Sequence, residues 1–388
     1  MELESVTITD DHLVFSDVQL RAVIRLHESQ LMNDQSKIID SSLERYFRER
    51  DRYSKLAERV ADIVREQIIE QNAIHAQVTY RSKTVSSLEG KLRRHIARDR
   101  HFDTVDQVFR EVQDLAAVRV LAYREKDIDF VCDQIKELLQ GLNGQDVTIE
   151  DMDKSDGRNF YKAKHAVISL PVTSLVGGYE NIRDTPCEIQ VCSMMAHVWN
   201  EIEHDIGYKP KGEPGADETA LLTALGHLTR SGDKVISQLL LANDMRLANE
   251  TDAFASPFDL AARLRKEYVN VDMSRNISQI FEYLLSRDIT SPGDLRDYLG
   301  LANLDVPDVR LIDDFNAYLE EESTVRYRLD PKTADVLLFQ LLAKEAKQIA
   351  AAFDNVGRGR PTRMRTLAEA FVVYEEWMRL NTSSTNNA

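Results

Sequence analysis

The sequence predicts an α+β protein: a mixed β-sheet domain flanked by helices, followed by an all-α C-terminal domain. Three observations carry this. Short β-branched segments with partial alternation fall only between residues 116 and 192. Segments with helical periodicity lie on both sides of them. Beyond residue 258 the strand patterns stop, and proline or glycine punctuates one apolar stretch after another.

Taken in order, residues 18–75 read as helix. Leu43, Tyr46, Tyr53, Leu56, Val60, Ile63 and Ile68 recur at helical spacing, and no glycine or proline interrupts them. Residues 84–97 and 104–113 are shorter helices. The expected strands are Ala116–Tyr123, Asp146–Glu150, Lys162–Leu170 and Cys187–Cys192. An amphipathic helix, Ile128–Leu142, sits between the first two and closes at Gly144. Met194–Tyr208 is helical and ends at Lys209-Pro210-Lys211-Gly212. Residues 217–249 form a long helix, and Thr251–Pro257 reads as a hinge. This divides the chain into a domain over 1–250, with its core at about 40–245, and an all-α domain over 258–380. Residues 381–388 are expected to be a disordered polar tail.

The 388 residues carry a net charge of −16, which argues against a protein that coats DNA. Three scattered cysteines, Cys132, Cys187 and Cys192, give neither a disulfide framework nor a zinc motif. An acidic N-terminus without an apolar stretch gives no signal peptide, and no long apolar run predicts a membrane helix. The expected setting is cytoplasmic, with no membrane partner.

Against that acidic background, residues 80–100 hold seven basic side chains and two acidic ones, a net of +5 that leaves −21 for the remainder. Ser87 and Lys91 share a helix face, and Arg81 and Lys83 stand just ahead of the helix N-terminus. That is a suitable place for phosphate. Two carboxylates accompany it. Asp114 precedes the first predicted strand, and Glu188 lies on the last with Gln190 on the same face. Carboxylates on adjacent strands suit Mg²⁺ beside a triphosphate, although salt-bridged edge residues give the same pattern.

Together these residues resemble the synthetase domain of the RelA/SpoT family, pyrophosphokinases that make ppGpp-type alarmones in the stringent response. The resemblance runs through Arg81-Ser-Lys83-Thr-Val-Ser-Ser87-Leu-Glu-Gly-Lys91 and Asp114-Leu-Ala-Ala-Val-Arg119. It continues with Asn159-Phe-Tyr161-Lys-Ala-Lys-His165, Glu188-Ile-Gln190, His197-Val-Trp199, Glu203-His204 and Tyr208-Lys209. It implies a nucleotidyltransferase-like sheet and Mg²⁺-dependent transfer of pyrophosphate from ATP to the 3′-hydroxyl of GDP or GTP. It also implies roles. Arg81 and Arg119 sandwich adenine, and Lys83, Ser87 and Lys91 hold the triphosphate. Asp114 and Glu188 are the catalytic, metal-holding pair. Asn159, Tyr161, His165 and Gln190 form the acceptor pocket, with Tyr161 stacked on the base.

Trp199 reads as a core residue, and the hydrolase domain of the long family members is not seen. Three departures fall on the acceptor side: Phe160 in place of glycine, Val191-Cys192-Ser193 after Glu188-Ile-Gln190, and Gly157 in place of lysine, with Lys154 and Arg158 nearby. They leave open two alternatives. One is a toxic synthetase that modifies an adenosine nucleotide or the 3′ CCA end of tRNA, with Arg93, Arg94, Arg98, Arg100 and the arginines of Gly357–Arg365 tracking RNA. The other is an inactive regulatory module. For the C-terminal domain the sequence does not choose between regulation, a partner, neutralisation of toxicity and homo-oligomer formation.

Overall fold

The computed structural model describes residues 17–153, 159–171, 175, 180–207, 214–249, 253–354 and 362–385. The chain opens with α1 (Asp17–Ile63), which widens into a π-helical stretch, Val64–Glu70. The sheet strands are β1 (Ala76–Ser82), β2 (Ala116–Ala122), β3 (Ile149–Asp151), β4 (Lys164–Ile168) and β5 (Cys187–Ser193). Between and after them come α2 (Val85–Ile96), α3 (Val105–Glu111), α4 (Lys126–Leu138), α5 (Met194–Gly207) and α6 (Ala216–Leu247).

The strand order is β1-β2-β5-β4-β3. Among the described residues only β2 and β5 run parallel; the other three pairs are antiparallel, so the sheet is mixed as expected. Strand β1 was not among the expected strands. It is an edge strand whose alternate residues Gln77, Thr79 and Arg81 are polar, so it lacks the apolar run that marks its neighbours. Strand β3 is shorter than predicted and lies on the other edge, where a strand needs little apolar content.

Alternation along β2 and β5 separates two faces. Ala116, Val118, Val120, Cys187, Ile189 and Val191 are buried in the main core against α1, which contributes Tyr46, Leu56 and Val60, and against Val64 of the π-helical stretch, all four fully buried. At about 1.5–3 kcal/mol per large apolar side chain, this layer fixes the register of the sheet, because a one-residue slip would turn the other face inward. The three cysteines are buried and free.

The C-terminal region is all helical: α7 (Pro257–Leu264), α8 (Ser278–Ser286), α9 (Pro292–Leu299), α10 (Val309–Glu321), α11 (Asp335–Ala352) and α12 (Arg363–Thr385). The punctuation works as the sequence suggests. Ser256 and Ser291 cap helices whose first residue is proline, and Gly300 ends α9 in the left-handed region at φ 71°. Helix α12 continues to Thr385, into the segment expected to be a disordered tail. This region has its own core, which includes Tyr268, Tyr283, Phe315, Leu341 and Phe371. Ala73, just beyond the π-helical stretch, belongs to that second core. His75 stacks on Phe258 with ring centroids 3.8 Å apart. Among the described residues no helix is long and apolar enough to cross a membrane.

Candidate active site

The polar face of the sheet is assembled by register alone. Arg81, Ala117, Glu188 and Val167 form one cross-strand row; Thr79, Arg119, Gln190 and His165 form the next. Paired residues project to the same side, so five of the candidate residues, drawn from four strands, share one face. Helix α2 closes one side. Thr84 is its N-cap, with its hydroxyl oxygen accepting from the Ser87 N–H at 3.1 Å, and this turn sets Ser87 at the helix start. Helix α5 covers the other side. A cleft of about 590 Å³ lies between them.

Its walls include Arg81, Lys83, Ser87, Lys91, Asp114 and Arg119. Tyr161 and Gln190 line the cleft as well. Asp114 is the hub of the phosphate side. Lys83 Nζ is 2.7 Å from one of its oxygens and Lys91 Nζ 2.9 Å from the other. Burial alone would push the Asp114 carboxyl up, but the charges and hydrogen bonds of the two lysines outweigh it and hold the group below its ordinary value. The backbone also fixes Lys83: its N–H donates to Leu115 at 2.9 Å, and its carbonyl accepts from the buried Tyr46 hydroxyl at 2.6 Å.

Asn159, His165 and Glu188 are tied by hydrogen bonds to Tyr161 and Gln190 of the cleft wall. Gln190 Nε2 donates to Glu188 at 2.7 Å. His165 Nδ1 is 3.3 Å from the other Glu188 oxygen, and its Nε2 is 2.9 Å from the Tyr161 hydroxyl. With Nδ1–H donating to the carboxylate, Nε2 accepts from Tyr161, giving one chain of hydrogen bonds. Burial raises the Glu188 carboxyl, but the bond to His165, its charge and the bond from Gln190 bring the net shift below the ordinary value, against an opposing contribution from Asp114. Burial, with Glu188 nearby, pushes the Tyr161 phenol up to about 12, so it stays a donor. Asn159 Oδ1 accepts from the Tyr161 N–H at 2.8 Å, which holds the loop turn.

Arg119 is tied to Glu201 at 2.8 Å and donates to Gln190 at 3.4 Å. Glu201 and Asn200 line the cleft but were not expected from sequence; Glu201 stands one helical turn after His197, a spacing that could have pointed to it. Trp199 is a core residue, as expected: it is 1% exposed, and its Nε1 donates to the Leu222 carbonyl at 3.0 Å. In the sequence Tyr46 stands out only for its helical spacing, and nothing local signals its bond to the Lys83 carbonyl.

Phe160, the residue in the place of glycine, is 3% exposed. Its ring packs over Gly226 of α6, where an added Cβ would meet ring atoms at 2.2 Å. It also meets Trp199, His227 and the Arg230 guanidinium. The departure is therefore an anchor that fastens the Tyr161 loop to α6. Cys192 lines the cleft, but burial pushes its thiol up to about 12, so it is not a reactive nucleophile.

Of the proposed RNA-tracking arginines, Arg363 is held by Asp335 at 2.7 Å and Arg365 by Asp354 and Glu369. Lys154, Gly157, Arg158, Tyr208, Lys209, Arg358 and Arg360 lie outside the described residues. Among the described residues no cluster of three or more His, Cys, Asp or Glu side chains is placed to hold a metal.

Residues 80–213 match the family model described as a region found in RelA / SpoT proteins. No curated protein matches the chain. Among solved structures, the small alarmone synthetase 1 from Bacillus subtilis is 20% identical, covers 50% of this chain and 96% of its own, and superimposes with a TM-score of 0.40. A GTP pyrophosphokinase family protein from Streptococcus pneumoniae is also 20% identical, covering 50% and 92% with a TM-score of 0.40. The Bacillus subtilis small alarmone synthetase 1 bound to its product pppGpp covers 50% and 96%, at 20% identity and a TM-score of 0.38.

Proposed function

We propose, from the premise that residues 80–213 are a region found in RelA / SpoT proteins, that this protein transfers pyrophosphate from ATP to the 3′-hydroxyl of GDP or GTP. One observation carries the proposal. A single cleft gathers Arg81, Lys83, Ser87 and Lys91 around Asp114, and Tyr161 and Gln190 line the same cleft. That is a phosphate side and a base-binding side within one enclosure.

In this reading Arg81 and Arg119 flank the adenine with planar guanidiniums, and the lysines and Ser87 take the triphosphate oxygens. Asp114 holds both ammonium groups where those oxygens take them over, so the phosphate side is organised before the nucleotide arrives. Tyr161 stacks on the acceptor base, held along its edge by His165, while its chain neighbour Phe160 fastens the loop to α6. The acceptor 3′-oxygen attacks the β-phosphorus of ATP, the bond from that phosphorus to the α-bridging oxygen breaks, and AMP leaves with the bonding electrons. Glu188 takes the hydroxyl proton. A carboxylate held low is a weak base, so it takes the proton only as the new P–O bond forms.

Asp114 and Glu188 also fit a divalent cation. They are two oxygen donors whose charges oppose each other, with no third protein ligand among the described residues, as expected for Mg²⁺, which keeps waters and takes its other ligands from phosphate. When bound, the ion would neutralise charge on the transferred group.

A tRNA 3′ end is a second candidate acceptor, favoured by one observation: Arg94 and Arg98 also line the cleft. Incubation of the protein with ATP labelled on the β-phosphate, together with GDP, GTP or tRNA, tests both. Label on the guanosine nucleotide supports the first reading, and label on tRNA replaces it. Label on none of them leaves an inactive module.

A further inference from the structure

Two neighbouring residues of α5, Asn200 and Glu201, line the cleft without belonging to any motif. We infer that they are positioning residues, one for each base. Glu201 sets Arg119 for the adenine of the donor, and Asn200 sets the Tyr161 loop for the base of the acceptor. Both roles rest on the reading in which Arg119 meets the adenine and Tyr161 the acceptor base.

The turn that carries them is fixed from two sides. Helix α5 follows β5 directly, and Ser193 locks its start: the Ser193 hydroxyl oxygen accepts from the Ala196 N–H at 2.9 Å, and its hydrogen goes to Asp233 of α6 at 2.8 Å. Trp199, 1% exposed, donates to the Leu222 carbonyl of α6 at 3.0 Å. Side chains on so firmly held an element can hold their own partners to a narrow geometry.

On the donor side, Glu201 Oε1 is 2.8 Å from Nη2 of Arg119, and Gln190 accepts from Nε at 3.4 Å. Those two nitrogens share one edge of the guanidinium, so the plane is held from that edge and a face is left for an adenine ring. His197, one turn earlier, stands 3.9 Å from the same carboxylate oxygen. The carboxylate also offsets the charge of Arg119. That leaves the triphosphate to Lys83 and Lys91 and favours one orientation of the nucleotide in the cleft.

On the acceptor side, Asn200 meets the backbone of Lys162 twice. Its Oδ1 accepts from the N–H at 3.4 Å, and its Nδ2 donates to the carbonyl at 3.3 Å. Lys162 follows Tyr161, and Phe160, which precedes it, is packed over Gly226. Tyr161 is therefore fastened on both sides, to α5 and to α6. The two positioning residues are adjacent in sequence, yet their contacts run to opposite bases, so their effects separate.

Isothermal titration of the full-length protein with ATP alone, GDP alone and inorganic tripolyphosphate alone tests this. Glu201, about half exposed at 51%, tolerates substitution without loss of the fold. Glu201→Ala should weaken ATP at least tenfold and leave GDP and tripolyphosphate within twofold. Glu201→Gln, which keeps an oxygen acceptor for Arg119, should recover most of that loss. Asn200→Ala should weaken GDP at least tenfold and leave ATP within twofold. If Asn200→Ala does not fold, Asn200→Asp, which keeps the bond from the Lys162 N–H and loses the one to its carbonyl, should weaken GDP alone at least threefold. Equal losses for both nucleotides in either variant, no loss in any, or a tripolyphosphate loss as large as that for ATP overturns the inference. A wild type that binds ATP and not GDP overturns the Asn200 role together with the acceptor reading. A wild type that binds both nucleotides but transfers no pyrophosphate, with the two separate losses intact, upholds both positioning roles and refutes the proposed reaction.

Discussion

At the residue scale, the active-site face rests on contacts that lie outside the motifs. Tyr46, thirty-seven positions before Lys83, donates to the Lys83 carbonyl. Tyr46→Phe removes that hydroxyl from a buried site and should cost about 1–3 kcal/mol, read from chemical denaturation, with a rise in KM for ATP as Lys83 loses its support. Phe160 is the clearest case of a departure that the fold explains. Gly226→Ala would drive a methyl group into its ring and cost about 1–3 kcal/mol by overpacking. Because Phe160 anchors the loop that carries Tyr161, the substitution should raise KM for the guanosine acceptor while KM for ATP stays unchanged. An equal rise in both would show that Phe160 packs the core without positioning the loop. The candidate residues themselves were legible because their order and spacing are chemical. Their linkage into one hydrogen-bond chain was not, since Tyr161, His165, Glu188 and Gln190 come together only through the pairing of β4 with β5.

At the element scale, apolar alternation revealed the central strands β2, β4 and β5 and hid β1, whose alternate residues Gln77, Thr79 and Arg81 are polar, with Arg81 in the cleft wall. Without β1, Arg81 reads as a residue before a helix. In the sheet it stands beside Ala117, in the same row as Glu188. The link from this sheet to the C-terminal helices runs through His75. Burial, then the charge of Arg124, lowers its pKa below the ordinary 6.5, while it stacks on Phe258. An imidazole whose folded value is depressed stabilises the fold above its unfolded value, and that contribution is lost as pH falls below about 6.5. Thermal melts at stepped pH should therefore show wild type losing stability below about pH 6.5 more steeply than His75→Phe. Parallel curves would remove His75 from the coupling.

At the scale of the whole molecule, the charge of −16 is the sum of an acidic surface and one basic segment that contributes a wall of the cleft. The two halves are not beads on a linker. Asn72, 1% exposed, donates to the Ile68 carbonyl at 2.7 Å and accepts from the Asn276 N–H at 3.0 Å, and Ala73 enters the C-terminal core. Asn72→Ala leaves both backbone partners unmet and should destabilise the protein by about 2–4 kcal/mol, splitting a single melting transition into two as the halves uncouple. No local pattern announced this junction, because Asn72 and Asn276 lie 204 positions apart and each alone reads as an ordinary turn residue.

The central claim is that this cleft moves pyrophosphate onto a 3′-hydroxyl. The most direct measurement follows β-phosphate-labelled ATP with GDP or GTP, for wild type and for Glu188→Gln, which keeps the shape of the side chain and its bond from His165 while removing the charge. Wild type should yield a 3′-labelled guanosine polyphosphate with release of AMP. The folded variant should lose at least a thousandfold of that activity. Label that appears on guanosine at an undiminished rate in Glu188→Gln, or ATP left intact by wild type with every acceptor offered, would contradict the claim.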